Sequence, residues 1–136
     1  MPILVLLIFL LLPGCWASSG PEVVVYTALD EEFSKPIFED FTKTTGIAVR
    51  SKFDAESTKT VGLANAIVAE ADRPRCDIFW NNEILLTLRL ARKGLLDVYR
   101  PKIAERYPAM YRSKDGLWHG LAARARILLV NTRRTP

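Results

Sequence analysis

The sequence predicts an α/β fold, a mainly parallel sheet flanked by helices, on three observations. Val23-Val24-Val25-Tyr26 is a β-branched run without alternation, the pattern of a strand buried on both faces of a parallel sheet. Strand-like runs then alternate with stretches of helical period, an order that right-handed crossovers convert into helices on both faces of the sheet. Pro21, Gly46, Pro74 and Gly94 fall at the joints between these segments.

Each element follows from local chemistry. After the first strand, acidic residues from Asp30 favour a helix start, and Phe33, Ile37 and Phe41 recur at a spacing of four with Phe38 beside them, up to Gly46. Pro36 fits only a first turn, so this helix is expected to begin near Ser34 or to follow a short turn. Ile47, Val49, Ser51 and Phe53 alternate with polar partners as a second strand. Ser57 is placed to cap a second helix with the inner stripe Val61, Ala64, Ile67, Val68 and Ala71, stopped by Pro74. Asp77-Ile78-Phe79-Trp80 reads as a third strand. A third helix runs from about Glu83 to Lys93, with Leu85 and Leu88 in its pattern, and is closed by Gly94. The tract from Asp97 to Asp115 reads as a surface connection with a short helix near Lys102 to Arg106. Gly120 to Asn131, carrying Ile127 to Val130, is expected to form a final strand.

The chain has 136 residues, 49% of them hydrophobic and 25% charged, with a net charge of +4, which describes a globular chain of one domain at most. Part of the hydrophobic share sits in Ile3 to Leu12, an apolar run of half the roughly 20 residues that a membrane-spanning helix needs. Residues 1–14 are therefore read as a signal peptide and 15–21 as a flexible tether, leaving 22–136 as one α/β lobe. Leu12-Pro13-Gly14-Cys15 resembles the lipobox of bacterial lipoproteins, which makes Cys15 an acylated anchor to a bacterial membrane. A plain signal peptide with Cys15 incidental is the alternative. Cys76, just before an apolar strand, is expected to be a buried, inert thiol.

Much chemistry is excluded. A single histidine, His119, and no Gly-x-Ser-x-Gly leave no hydrolytic relay, so the chain is not read as an enzyme, and His119 is expected to be a hydrogen-bonded structural residue. Two cysteines and one histidine cannot close a zinc site, and no glycine-rich phosphate loop follows the first strand. The charge is lopsided: Cys15 to Leu88 holds 7 Lys plus Arg against 12 Asp plus Glu, and Arg89 onward holds 12 against 3. Arg89, Arg92, Lys93, Arg100, Lys102 and Arg106 fall where a solvated helix face and loop put them, so no nucleic acid is expected. An anion site or an acidic partner surface explains the surplus better.

Ligands of open α/β sheets bind beyond the carboxyl ends of the strands, near the point where strand order reverses. That rule selects three loops: Tyr26 to Glu32, Asp54 to Thr60, and Asn81 to Glu83. All carry oxygen donors suited to hard cations, and Ser57, Thr58 and Thr60 make the second a helix start suited to an anion. Asp30, Glu32 and Glu83 also lie where a carboxylate simply favours a helix start, so both readings stand for each.

Five segments together carry a resemblance: Val-Val-Val-Tyr-Thr-Ala-Leu-Asp at 23–30, Phe-x-x-x-Thr-Gly-Ile at 41–47, Cys-Asp-Ile-Phe-Trp-Asn-Asn-Glu at 76–83, Gly-Leu-Leu at 94–96 and Arg-Ala-Arg-Ile-Leu-Leu-Val-Asn-Thr at 124–132. In this order they resemble the amino-terminal part of the ferric-iron-binding solute-binding proteins of ABC transporters. The resemblance implies a periplasmic-binding-protein-like lobe of type II, a second lobe beyond this sequence, and Fe(III) cargo trapped by hinge closure, with or without a synergistic anion. It also implies an extracytoplasmic location and an ABC-transporter permease as partner. Matched position by position, Glu83 and Asp30 become metal ligands, Asn82 competes with Glu83, and Arg124 or Arg126 pairs with a ligand or anion. The adjacent tyrosines that hold iron in the family belong to the second lobe, and no Tyr-Tyr pair occurs in this sequence. One lobe alone is expected to bind cargo weakly. The rival readings are another small cargo (thiamine, a polyamine, an oxyanion or a phosphonate) or an exported interaction domain.

Overall fold

The computed structural model describes residues 20–54, 60–123 and 127–134. They fall into two compact units: the described residues up to Phe53 with Cys76–Trp80, and Asp54–Arg75 with the described residues from Asn81 onward. Cys15, Ser57, Thr58, Arg124 and Arg126 lie outside the described residues, as does the segment read as a signal peptide.

The first unit is built on a parallel sheet of β1 (Glu22–Thr27), β2 (Ala48–Phe53) and β3 (Ile78–Trp80), in the order β2-β1-β3. The helix α1 (Glu31–Thr45) makes the crossover from β1 to β2. Register decides the faces. Val23 pairs with Val49, Val25 with Ser51 and Ile78, and Thr27 with Phe53 and Trp80, so these residues share one face. Val24, Tyr26, Arg50, Lys52 and Phe79 share the other, where the Lys52 ammonium lies 4.4 Å from the centre of the Tyr26 ring. Asp77 extends the β1–β3 ladder with its side chain. Its Oδ2 accepts the Val24 N–H at 2.8 Å, while its own N–H donates to the Val24 carbonyl at 2.9 Å.

Helix α1 turns a different face inward from the one the periodicity suggested. Ser34 is fully buried and Phe38 and Thr42 are half-buried, whereas Phe33 and Ile37 are more than half exposed. Both stripes have helical spacing, and the choice rests on fit. A serine lets the helix approach the sheet closely, and its hydroxyl and N–H both donate to the Asp30 carbonyl at 3.1 Å. Phe38 then meets Trp80 of β3 edge-on, with ring centroids 5.9 Å apart. The helix also begins at Glu31 rather than near Ser34, with Pro36 inside it. The carbonyl that Pro36 leaves without an N–H partner belongs to Glu32, which is exposed to solvent. Gly46 ends the helix as expected, at φ 74 and with its N–H on the Thr42 carbonyl at 2.8 Å.

The second unit holds α2 (Val61–Ala69) and α3 (Ile84–Arg92), which pack on each other, followed by short 3-10 helices at Lys102–Arg106 and Ala109–Tyr111. The first of these stands where the sequence placed a short helix. Leu63, Ala64 and Leu90 are buried, while Val61, expected inside, is 49% exposed and Leu85 is 74% exposed. Helix α2 ends at Ala69, five residues ahead of Pro74, and a turn closed by the Arg73 N–H on the Glu70 carbonyl follows. His119 is held as a structural residue, its Nε2 donating to the Tyr99 carbonyl at 2.7 Å.

Two further expectations fail. Cys76 is half-buried rather than buried, with its thiol on the Ile78 carbonyl at 3.2 Å. Ile127 to Val130 belongs to no strand: its four side chains are 78, 95, 94 and 61% exposed, and among the described residues no strand pairs with it. Apolar β-branched composition makes a segment fit for a sheet, but a ladder needs a neighbour to supply the other half of each hydrogen bond.

Candidate functional site

The carboxyl ends of the strands carry the predicted loops. The chain passes from β1 to β2 on one side and places β3 on the other side of β1, so strand order reverses at the ends of β1 and β3. The Ala28 N–H donates to the Trp80 carbonyl at 3.0 Å and prolongs the pairing there. Thr27 is fully buried, and its hydroxyl accepts the Leu29 N–H at 3.1 Å, which fixes the turn leading to Asp30.

Asp30 is the N-cap of α1 and is exposed. Its backbone carbonyl receives Phe33 and Ser34, while its side chain makes no cap hydrogen bond to the helix. With Glu31 and Glu32 in the first turn, it gives this helix start a cluster of carboxylates.

Glu83 is the N-cap of α3, in extended conformation, and here the side chain itself caps. Its two carboxylate oxygens accept the N–H groups of Leu85 at 2.7 Å and Leu86 at 2.9 Å. Asn81 braces the turn from the other side. Its amide donates to Glu83 Oε1 at 3.1 Å and to the Thr87 hydroxyl at 3.0 Å, while its Oδ1 accepts the Asn82 N–H at 2.7 Å. Asn81, Asn82 and Glu83 thus form one hydrogen-bonded turn in the second unit, whereas Asp30 belongs to the first. A carboxylate fixed by three donors keeps lone pairs for a further cation, because each oxygen offers two. Sequence reasoning missed Asn81 as the residue that orients Glu83. The doubled asparagine ahead of an acidic N-cap was the available signal.

Thr60 is buried and stands at the N-cap of α2 with φ 71, and its hydroxyl makes no cap bond. Among the described residues no group of three or more His, Cys, Asp or Glu side chains is placed to hold a metal ion. None of their helices is long and apolar enough to cross a membrane. An open cleft of about 420 Å³ in the first unit, lined by Lys35, Phe38 and Lys43 of α1 and by Val49, Ser51 and Phe53 of β2, contains none of the predicted site residues. Tyr26 is buried, and Tyr99, Tyr107 and Tyr111 are exposed.

No protein-family model matches the sequence. Over 116 residues, 85% of the chain, it is 30% identical to the Fe(3+)-binding periplasmic protein of Serratia marcescens, of which it covers 33%. The fold superposes on ferric iron-binding protein A of Mannheimia haemolytica in an open conformation with a TM-score of 0.65 at 25% identity, covering 75% of this chain and 31% of that one. The ferric binding protein of Campylobacter jejuni gives a TM-score of 0.61 at 26% identity, over 69% of this chain and 29% of that one. The chain spans about a third of the length of the relatives it matches. In sequence and in fold the chain is thus similar to these ferric-iron-binding proteins over about a third of their length, with an α/β fold on a parallel sheet.

Proposed function

We propose that the chain is one lobe of an extracytoplasmic, lipid-anchored solute-binding component of an ABC importer, which captures ferric iron and delivers it to a membrane permease. The observation that carries this reading is the 30% identity over 116 residues to a periplasmic Fe(3+)-binding protein. Oxygen donors at the carboxyl ends of the strands support it, because hard cations prefer carboxylate and amide oxygens to thiolate or imidazole. In this reading Glu83 and Asp30 ligate the metal, with Asn82 as the competing match for Glu83, Ser57, Thr58 and Thr60 face the ligand, and Arg124 or Arg126 pairs with the ligand or a synergistic anion. Cys15 carries the lipid. The activity is binding and transfer, with no bond made or broken.

One lobe supplies one wall of a two-walled cleft, so this chain alone holds iron weakly. The test is a titration of Fe(III), supplied as its nitrilotriacetate complex, into this chain and, side by side, into the Serratia marcescens relative. Spermidine and thiamine serve as competing cargoes. The expected result is measurable binding of Fe(III) to the chain, at least ~100-fold weaker than to the relative, as the loss of several charge-assisted ligands entails. Tighter binding of thiamine or spermidine than of iron overturns the assignment of cargo.

A further inference from the structure

Among the described residues, the start of helix α2 lacks an acidic first turn and a side-chain cap from its N-cap residue, Thr60. The first N–H groups of a helix have no partner within it and attract negative charge, which is why this start reads from sequence as an anion site. In the structure a carboxylate of the chain itself is already there. Asp54, the residue after β2, accepts the Leu63 N–H on Oδ2 at 3.3 Å. It lies against the backbone of Gly62 so closely that a Cβ at position 62 would stand 2.5 Å from Oδ1 and 2.9 Å from Oδ2.

We propose that Asp54 is a specificity-determining residue, whose carboxylate stands where an external oxyanion would bind at the start of α2 and so excludes oxyanion cargo from that place. The argument is steric and electrostatic together. The space over Gly62 is filled, and an oxyanion reaching for the same N–H groups would come within about 4 Å of a fixed negative charge, where like charges repel strongly in a partly buried setting. The absence of a side chain at Gly62 is what admits the carboxylate, so the pair Asp54 and Gly62 acts as one device. A cation meets no such barrier. The inference deepens the reading of the chain as a metal-cation binder and rests on it for its biological sense, but its test needs no iron.

The test is equilibrium dialysis of inorganic phosphate against the full chain and two variants, with circular dichroism to verify the fold. Asp54→Ala vacates the helix start and should bind phosphate about tenfold more tightly than the parent, the gain expected of an anion at a free helix N-terminus. Asp54→Asn keeps an acceptor for Leu63 and removes only the charge, so it should fall between the two and covers the case in which the alanine variant does not fold. Phosphate affinity unchanged in both variants, or a parent that binds phosphate as tightly as they do, overturns the proposal. Failure of Fe(III) binding in the separate titration would leave this result untouched and count against the cargo assignment alone.

Discussion

The side-chain amide of Asn81 donates to Oε1 of Glu83 at 3.1 Å, within the turn that opens α3. It orients a carboxylate that also receives two backbone N–H groups, and this gives Glu83 a structural duty beside its proposed one. Two substitutions separate the duties. Glu83→Ala removes cap and charge together and should lower stability by about 1 kcal/mol, as loss of an N-cap does. Glu83→Gln keeps an acceptor, so urea unfolding should change little while Fe(III) affinity falls. Iron binding by Glu83→Gln equal to the parent's would remove Glu83 from the ligand set.

Asp30 makes no side-chain cap bond to α1, so its replacement bears less on the helix than that of Glu83 bears on α3. Asp30→Ala should weaken Fe(III) binding less than Glu83→Ala does, measured by competition with citrate. The reverse order would make Asp30 the principal carboxylate of this lobe.

Leu90 is 1% exposed and Leu85, on the same helix, 74% exposed. Leu90→Ala should cost about 2–5 kcal/mol, enough to unfold much of a marginal domain, through lost burial and the cavity left behind. Leu85→Ala should stay within about 0.5 kcal/mol of the parent. Urea midpoints of the two variants decide, and equal losses would contradict the inward face assigned to α3.

Phe38 and Trp80 join α1 to β3 edge to face. A double-mutant cycle with Phe38→Leu and Trp80→Leu should yield a coupling of about 0.5–1.5 kcal/mol. Phe33→Leu, on the exposed side of α1, should show no coupling to Trp80→Leu.

Leu128 and Leu129 are 95 and 94% exposed within four consecutive apolar residues, a segment that invites pairing between copies. Leu128→Lys with Leu129→Lys should reduce light scattering by concentrated protein while shifting the unfolding midpoint by no more than about 0.5 kcal/mol. A large loss of stability would mean that the segment is packed rather than exposed.

Most elements were legible because their signals are local. Val23 to Tyr26 announces a doubly covered strand by composition alone, the alternation from Ile47 to Phe53 survives as the half-exposed edge strand β2, and Gly46 closes α1 because a left-handed residue is needed there. The candidate site was legible in part for the same reason. Asp30 and Glu83 stand at helix starts, where a carboxylate is favoured, and both are N-caps in the structure. The doubled asparagine signalled a brace there, but that Asn81 rather than Asn82 supplies it was not legible, because which of two neighbouring asparagines turns back depends on the path of the turn.

Sequence alone thus determined the order of elements from β1 to α3, the stop at Gly46 and the carboxylates at the starts of α1 and α3, all properties of a few neighbouring residues. Tertiary structure alone decided three things. It set Ser34 and Phe38 rather than Phe33 and Ile37 against the sheet, brought Asp54 onto Gly62 at the start of α2, and left Ile127 to Val130 outside any ladder. In each case the deciding term is a partner distant along the chain: a ring on another strand, the space beside a residue without a side chain, or a neighbouring strand to complete the hydrogen bonds. A short sequence pattern records what a residue can do, and only the packed neighbour selects among those possibilities.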